Sequence, residues 1–82
     1  MYYFTFRSVT LAQRAQRLLT QAGLHAGLLR TPAALESKGC GYSVPVRAEQ
    51  GLQAATVLRG QQLHWSGCWR YQPPESPREV FP

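Results

Sequence analysis

The stretch YYFTFRSVTLAQRAQRLLTQAG (residues 2–23) changes its hydrophobic period once along its length. In residues 2–7, every second residue is aromatic and faces the same side: Tyr2, Phe4 and Phe6. This alternation predicts a β-strand. Ser8 follows as a predicted N-cap, and Gly23 is a predicted helix stop. Between them, apolar residues recur at the spacing of one helix face: Leu11, Ala15, Leu18, Leu19 and Ala22. The stretch therefore predicts a strand followed by a helix.

Four further elements are predicted after this unit. They are a strand at residues 25–30, a strand at 42–47, a helix at 48–60 and a strand at 62–72. The element order is thus βαββαβ. With right-handed crossovers, this order predicts an α+β, ferredoxin-like sandwich, in which both helices cover one face of a four-stranded antiparallel sheet. The predicted strand order is 4-1-3-2.

Two of the predicted strands carry features that bear on the sheet. Pro45 lies inside the third strand, where it removes one backbone donor from the ladder. In the fourth strand, period-two alternation places Trp65 and Trp69 toward the helices and Cys68 on the opposite, open face. Cys68 is therefore interpreted as a small residue of the open face, too far from Cys40 for an intramolecular disulfide.

The chain is predicted to form one domain, at residues 1–72. Its last ten residues, PPESPREVFP (73–82), are rich in proline and poor in apolar side chains. Such a segment cannot bury enough surface to fold alone, so it is predicted to be a flexible tail.

Charge and hydrophobicity bear on the location of the protein and on its partners. The 82 residues carry a formal net charge of +5, and no stretch reaches the roughly 18 consecutive apolar residues of a membrane span. The first residues lack the pattern of a signal peptide, so a cytoplasmic location is predicted, where cysteines stay reduced. The excess of arginine permits an anionic partner without requiring one.

Few residues are suited to acid–base or metal chemistry. The chain has four glutamates and no aspartate, and they are too scattered to predict a carboxylate pair or a triad. The two histidines and two cysteines do not have the spacing of a zinc site, and there is no CxxC pair. A classical enzyme is therefore not predicted, and neither a metal nor a cofactor is expected.

The loop ESKGCGYSVPV (residues 36–46) holds the strongest candidate for chemistry. In the predicted topology, Cys40 lies where the first strand ends and the first helix begins. Free amides and partial positive charge at that helix end stabilise a thiolate and lower its pKa. The supporting environment is predicted to consist of Arg7, Ser8, Lys38, Gly39 and Gly41. The alternative is a packed, inert loop cysteine.

Several segments resemble one known family. The stretch at residues 2–23, followed by LLRTP (28–32) and CGYSVPV (40–46), is similar to the small bacterial and archaeal domain called "putative Se/S carrier protein-like". The resemblance implies a carrier that holds sulfur or selenium on the cysteine matching Cys40, as a persulfide or a selenium adduct. It also implies donor and acceptor proteins as partners, with no cofactor.

Two other functions stay open at this point. The first is a non-catalytic interaction or regulatory domain, whose open sheet face and strand edges could form a homodimer or bind another chain. The second is a module for single-stranded nucleic acid that uses the open face. Only Tyr3 is an aromatic side chain on that face in the predicted sheet, so nucleic acid is the less favoured partner.

Overall fold

The computed structural model describes residues 1–35 and 41–82. In this part of the chain, two α-helices pack on one face of a five-stranded antiparallel sheet whose order is β2-β3-β1-β4-β5. Two short 3-10 turns precede β3 and α2, at Ala33–Leu35 and Ala48–Gln50. The main elements are β1 (Tyr2–Phe6), α1 (Val9–Gln21), β2 (Leu29–Arg30), β3 (Tyr42–Val46), α2 (Gly51–Gly60), β4 (Gly67–Arg70) and β5 (Arg78–Glu79).

The fifth strand separates the observed sheet from the predicted one. The α+β class is confirmed, and the neighbours predicted for β1 to β4 are all present, but the prediction of four strands is wrong. The added strand β5 comes from residues 78–79, inside the segment predicted to be a flexible tail. The Val80 amide donates to the Cys68 carbonyl at 2.9 Å, and the Val80 side chain packs against the core. One partly buried valine and its backbone hydrogen bond thus hold this segment against the sheet.

Both ends of α1 follow the sequence signals. The Ser8 hydroxyl accepts a hydrogen bond from the Leu11 amide at 3.2 Å, as expected of an N-cap. Gly23 follows the helix with a φ of +87°, a conformation that favours glycine. The buried face, however, is formed by Ala12, Ala15 and Leu19, whereas Leu11 is exposed. The predicted face is therefore rotated by about one residue from the observed one.

The core lies between the two helices and the sheet face that they cover, which we call the helix face. The helix face consists of Phe4, Phe6, Val44, Val46 and Cys68. Opposite it, α1 and α2 present small residues, and these allow the helix backbones to approach the sheet closely: Ala12, Ala15, Ala54 and Ala55. Leu19 and Leu58 fill the remaining space. Every one of these side chains is at most 1% exposed, so this layer is dry and tightly packed.

The alternation predicted for the fourth strand is confirmed for Trp65, which packs against Phe4 of the core, but it is wrong for Cys68 and Trp69. The strand begins at Gly67, because α2 runs to Gly60 and is followed by a turn in which Gln62 has a φ of 56°. Cys68 is opposite Phe4 and lies on the helix face, whereas Trp69 is opposite Tyr3 and lies on the other face. We call that other side of the sheet the open face.

Pro45 is accommodated within β3, at the cost of a regular β2. Pro45 is opposite Tyr3 of β1, and its carbonyl accepts from the Gly27 amide at 3.1 Å. In an antiparallel strand, the N–H and C=O groups of one residue point to the same edge, so the donor missing from Pro45 is lost on the β2 side. There the pairing is limited to an isolated bridge at Ala26 and the two residues Leu29–Arg30. The predicted strand at residues 25–30 is correspondingly shortened.

A helix that crosses a membrane must be both long and apolar. Neither of the two α-helices in the described ranges combines the length and the apolarity needed to cross a bilayer.

Candidate functional site

The candidate site lies where β1 ends and α1 begins. Phe6 is opposite Tyr42 in the β1–β3 pair, so Gly41 lies level with the connection formed by Arg7 and Ser8. The Gly41 carbonyl also accepts from the Thr31 amide at 3.1 Å, which ties it to the end of β2. The connection between β2 and β3 therefore returns to the sheet beside the start of α1, as the topology predicted.

The structure describes three of the six residues predicted for this site. Arg7 is exposed and Ser8 is half-buried. Gly41 is also half-buried, and among the described residues other than its chain neighbours no heavy atom lies within 4 Å of the position a Cβ would take. The other three, Lys38, Gly39 and Cys40, lie outside the described residues. The described part of the site thus has an open position at Gly41, next to a cationic side chain and a helix start.

The N-terminus of α1 is electrically positive. Ser8 caps one amide, that of Leu11, and the helix geometry leaves the amides of Val9 and Thr10 without a partner inside the helix. No acidic residue lies in the first turn to balance the partial positive charge. This end of the helix can therefore stabilise a negative charge held near it.

A depression of about 370 Å³ lies on the open face next to this helix start. We call it the open-face depression. Its walls are formed by Thr5, Arg7, Leu35, Ser66, Gly67, Trp69 and Glu79. Arg7 belongs to the predicted site, and Leu35 is the last described residue before the β2–β3 connection continues. Trp69 was missed in the sequence because the predicted alternation of β4 turned it toward the helices.

The floor of the open face is polar, and its hydroxyl groups have partners. Thr5 donates to the Gly67 carbonyl at 3.2 Å. The hydroxyls of Thr31 and Ser43 lie 2.8 Å apart, and both residues are buried. These satisfied hydrogen bonds allow polar side chains to be buried on this side of the sheet.

Aromatic side chains surround part of the open face. The rings of Tyr3 and Tyr71 lie 6.0 Å apart at 57°, and Trp69 lies opposite Tyr3 on the neighbouring strand. The face is therefore richer in aromatic side chains than the sequence predicted. Glu79 is opposite Trp69, so a carboxylate also stands on this face.

Cys68 is not part of the site. It is 1% exposed on the helix face, and burial raises the pKa of its thiol from 9.0 to about 12, against a smaller lowering by a backbone hydrogen bond from Trp69. A thiol with this pKa stays protonated at neutral pH and is a poor nucleophile. Among the residues that the structure describes, no group of three or more His, Cys, Asp or Glu side chains could hold a metal ion.

Comparison with other proteins gives one assignment. No curated protein matches the chain, and no solved structure matches it. A family model does match residues 1–70, which run from β1 through β4 and include the β2–β3 connection and the start of α1. Because this match covers most of the 82 residues, the chain belongs to the family described as "Putative Se/S carrier protein-like".

Proposed function

We propose that this protein carries sulfur or selenium on the side chain of Cys40 and transfers it between partner proteins. The observation that carries this proposal is the family match over residues 1–70, a range that includes Cys40. The non-catalytic interaction domain and the nucleic-acid module have no comparable support.

The described surroundings support an ionised thiol at this position. Gly41, the next residue in the chain, lies level with Arg7 and Ser8 through the Phe6–Tyr42 pair. The helix start there has no acidic residue in its first turn. A guanidinium and a helix N-terminus both favour the thiolate, so the pKa of Cys40 is expected below that of an ordinary cysteine. Lys38 and Gly39 complete the proposed environment.

The chemistry requires no cofactor. The Cys40 thiolate attacks the terminal sulfur of a donor persulfide, forming a new S–S bond as the donor's S–S bond breaks. The donor leaves as a thiolate, and its terminal sulfur, with any proton it carries, moves to Cys40, so there is no net oxidation or reduction. An acceptor thiolate then takes the atom from Cys40 in the same way. Selenium transfer follows the same balance.

This chemistry defines the partners and the compartment. The donor and the acceptor are proteins that carry a persulfide or selenium adduct and a receiving thiolate, respectively. A reducing compartment keeps the carrier thiol free, so a cytoplasmic location is part of the proposal. Both edge strands of the described sheet are only two residues long, which leaves little backbone for a homodimer formed by strand pairing.

Loading can be tested by mass spectrometry of the intact chain after incubation with a small-molecule persulfide. We expect one added sulfur atom on the wild-type protein and on the Cys68→Ala variant, and none on Cys40→Ala. Equal loading of Cys40→Ala, or a single adduct on Cys68, would reject Cys40 as the carrier. Parallel incubation with a selenium donor compares the two elements.

The environment of Cys40 can be tested through the pH dependence of its alkylation in the Cys68→Ala background. We expect the thiol pKa to rise in Arg7→Gln, which removes a cation. We also expect it to rise in Ser8→Asp, which keeps the cap but adds a negative charge. Ser8→Asn is the matched control, since it keeps a cap without a charge. An identical pKa in all four proteins would show that the helix start does not act on Cys40.

A further inference from the structure

Two arginines stand side by side on neighbouring strands at the end of the sheet. Arg70 of β4 is directly opposite Arg78 of β5, and both are exposed. Side chains of directly opposite residues on an antiparallel pair project on the same side, with Cβ atoms about 5 Å apart. Arg70 is also opposite Tyr2, so the pair lies on the helix side of the sheet, away from the open-face depression.

The arginine pair is unfavourable by itself. Like charges directly opposite each other destabilise an antiparallel pair. Within the described ranges, neither guanidinium forms an ion pair with a carboxylate at 4.0 Å or less. Glu75 lines the same hollow but forms no ion pair with either arginine. An anion bound between the two guanidinium groups would relieve their repulsion.

A polar hollow accompanies the pair. Its volume is about 420 Å³, enough for a small anion, and its walls are formed by Arg70, Gln72, Glu75, Ser76 and Arg78. The turn between β4 and β5 supplies Gln72 and Ser76, whose amide and hydroxyl groups can donate hydrogen bonds. All of these residues except Arg70 follow residue 70, where the family match ends. The hollow is thus built largely by the segment that adds β5 to the sheet.

We propose that the Arg70–Arg78 pair is a binding site for an oxyanion of the phosphate class, either free phosphate or the phosphate of a small monoester. Two guanidinium groups on adjacent strands can both donate to the oxygens of one tetrahedral anion, and guanidinium is well suited to such pairing. The site is independent of Cys40 and requires no sulfur or selenium transfer.

The test is an NMR titration of the full chain with inorganic phosphate and, separately, with a phosphate monoester at constant ionic strength. We expect a saturable shift of the amides of residues 70–79. Arg70→Gln and Arg78→Gln should each weaken binding by about tenfold or more, and Arg14→Gln, an exposed arginine on α1, should leave it unchanged. Glu75→Gln should strengthen binding, because it removes a competing carboxylate from the hollow.

Thermal unfolding without phosphate provides the second measurement. Arg78→Gln should raise Tm at low salt, because it removes the repulsion, whereas an arginine with a structural role would lower Tm when replaced. Preference for phosphate over the monoester, or the reverse, identifies the source of the anion and supports the site in both cases. No saturable shift with either anion, equal binding of malonate, or an equal loss in Arg14→Gln would overturn it.

Discussion

The two faces of the sheet use their side chains in opposite ways. The five residues that define the helix face are apolar and buried, and even its thiol, Cys68, is held protonated by burial. The open face buries one pair of hydroxyl groups, those of Thr31 and Ser43, and leaves a depression bordered by Arg7. Stability and candidate chemistry are thus separated across one sheet: the same strand β1 supplies Phe4 to the core and Thr5 to the open face.

The largest loss of stability is expected at Phe4 of β1, in contrast to its chain neighbour Tyr3. Replacing Phe4 by Ala removes a fully buried ring that packs edge-on against Trp65 at 5.0 Å, and should cost about 3–5 kcal/mol of unfolding free energy. Replacing Tyr3 by Ala, on the open face, should cost markedly less. Urea unfolding measures both, with Phe4→Leu as a milder variant if Phe4→Ala does not fold. Equal costs at positions 3 and 4 would break the distinction between the faces.

The next largest loss of stability is expected where Gly51 packs closely against Tyr2. A Cβ on Gly51, at the start of α2, would overlap the ring of Tyr2. Gly51→Ala should therefore destabilise the protein by about 1–3 kcal/mol through overpacking. Gly60→Ala, in the same helix, is the matched control, because in the described ranges no heavy atom from outside its own stretch of helix lies within 4 Å of its Cβ position, and alanine favours helix. If the two variants have the same Tm, the contact between Gly51 and Tyr2 is not tight.

A smaller effect is expected from the buried hydroxyl pair of the open face. Thr31→Val and Ser43→Ala each leave one buried hydroxyl without its partner, and each should cost about 1–2 kcal/mol. The double variant should cost less than the sum of the two, with a coupling of about 1 kcal/mol. Denaturant unfolding of the four proteins of this cycle gives the coupling. Strict additivity would mean that the two hydroxyls do not stabilise the protein through each other.

The smallest effect is a pH dependence that originates on the helix face. The Cys68 thiol has a pKa of about 12 in the folded protein and an ordinary value of 9.0. Above pH 9.0 the unfolded chain ionises and the folded chain does not, so stability present below 9.0 is lost as the pH rises toward 12. The loss should be about 1 kcal/mol at pH 10.

Cys68→Ala is the comparison that isolates this contribution, because all other titratable groups are the same in both proteins. The difference in unfolding free energy between wild type and variant should change between pH 8 and pH 10. A constant difference over that interval would mean that the thiol ionises equally in the folded and unfolded states.

Part of the site was predictable because its signals are local. Ser8 and Gly23 limit α1 through contacts within one or two turns, and the order βαββαβ places the β2–β3 connection beside Arg7. The open-face depression was not predictable, because it depends on the side of β4 that Trp69 occupies. The predicted strand assumed period-two alternation through residues 62–66. These residues form a turn and loop, and each residue outside a strand can change the face on which the following side chains lie.

The sequence by itself determined the strand–helix unit of residues 2–23, the order of the first six elements and the resemblance that the family match confirms. These depend on local hydrogen bonding, side-chain period and short motifs. Only the tertiary structure decided the burial of Cys68, the position of Trp69 on the open face and the pairing of β5, which brings Arg78 opposite Arg70. The physical reason is that these features depend on where distant segments meet: the partly buried Val80 side chain and its backbone hydrogen bond to Cys68 hold a proline-rich segment against the sheet.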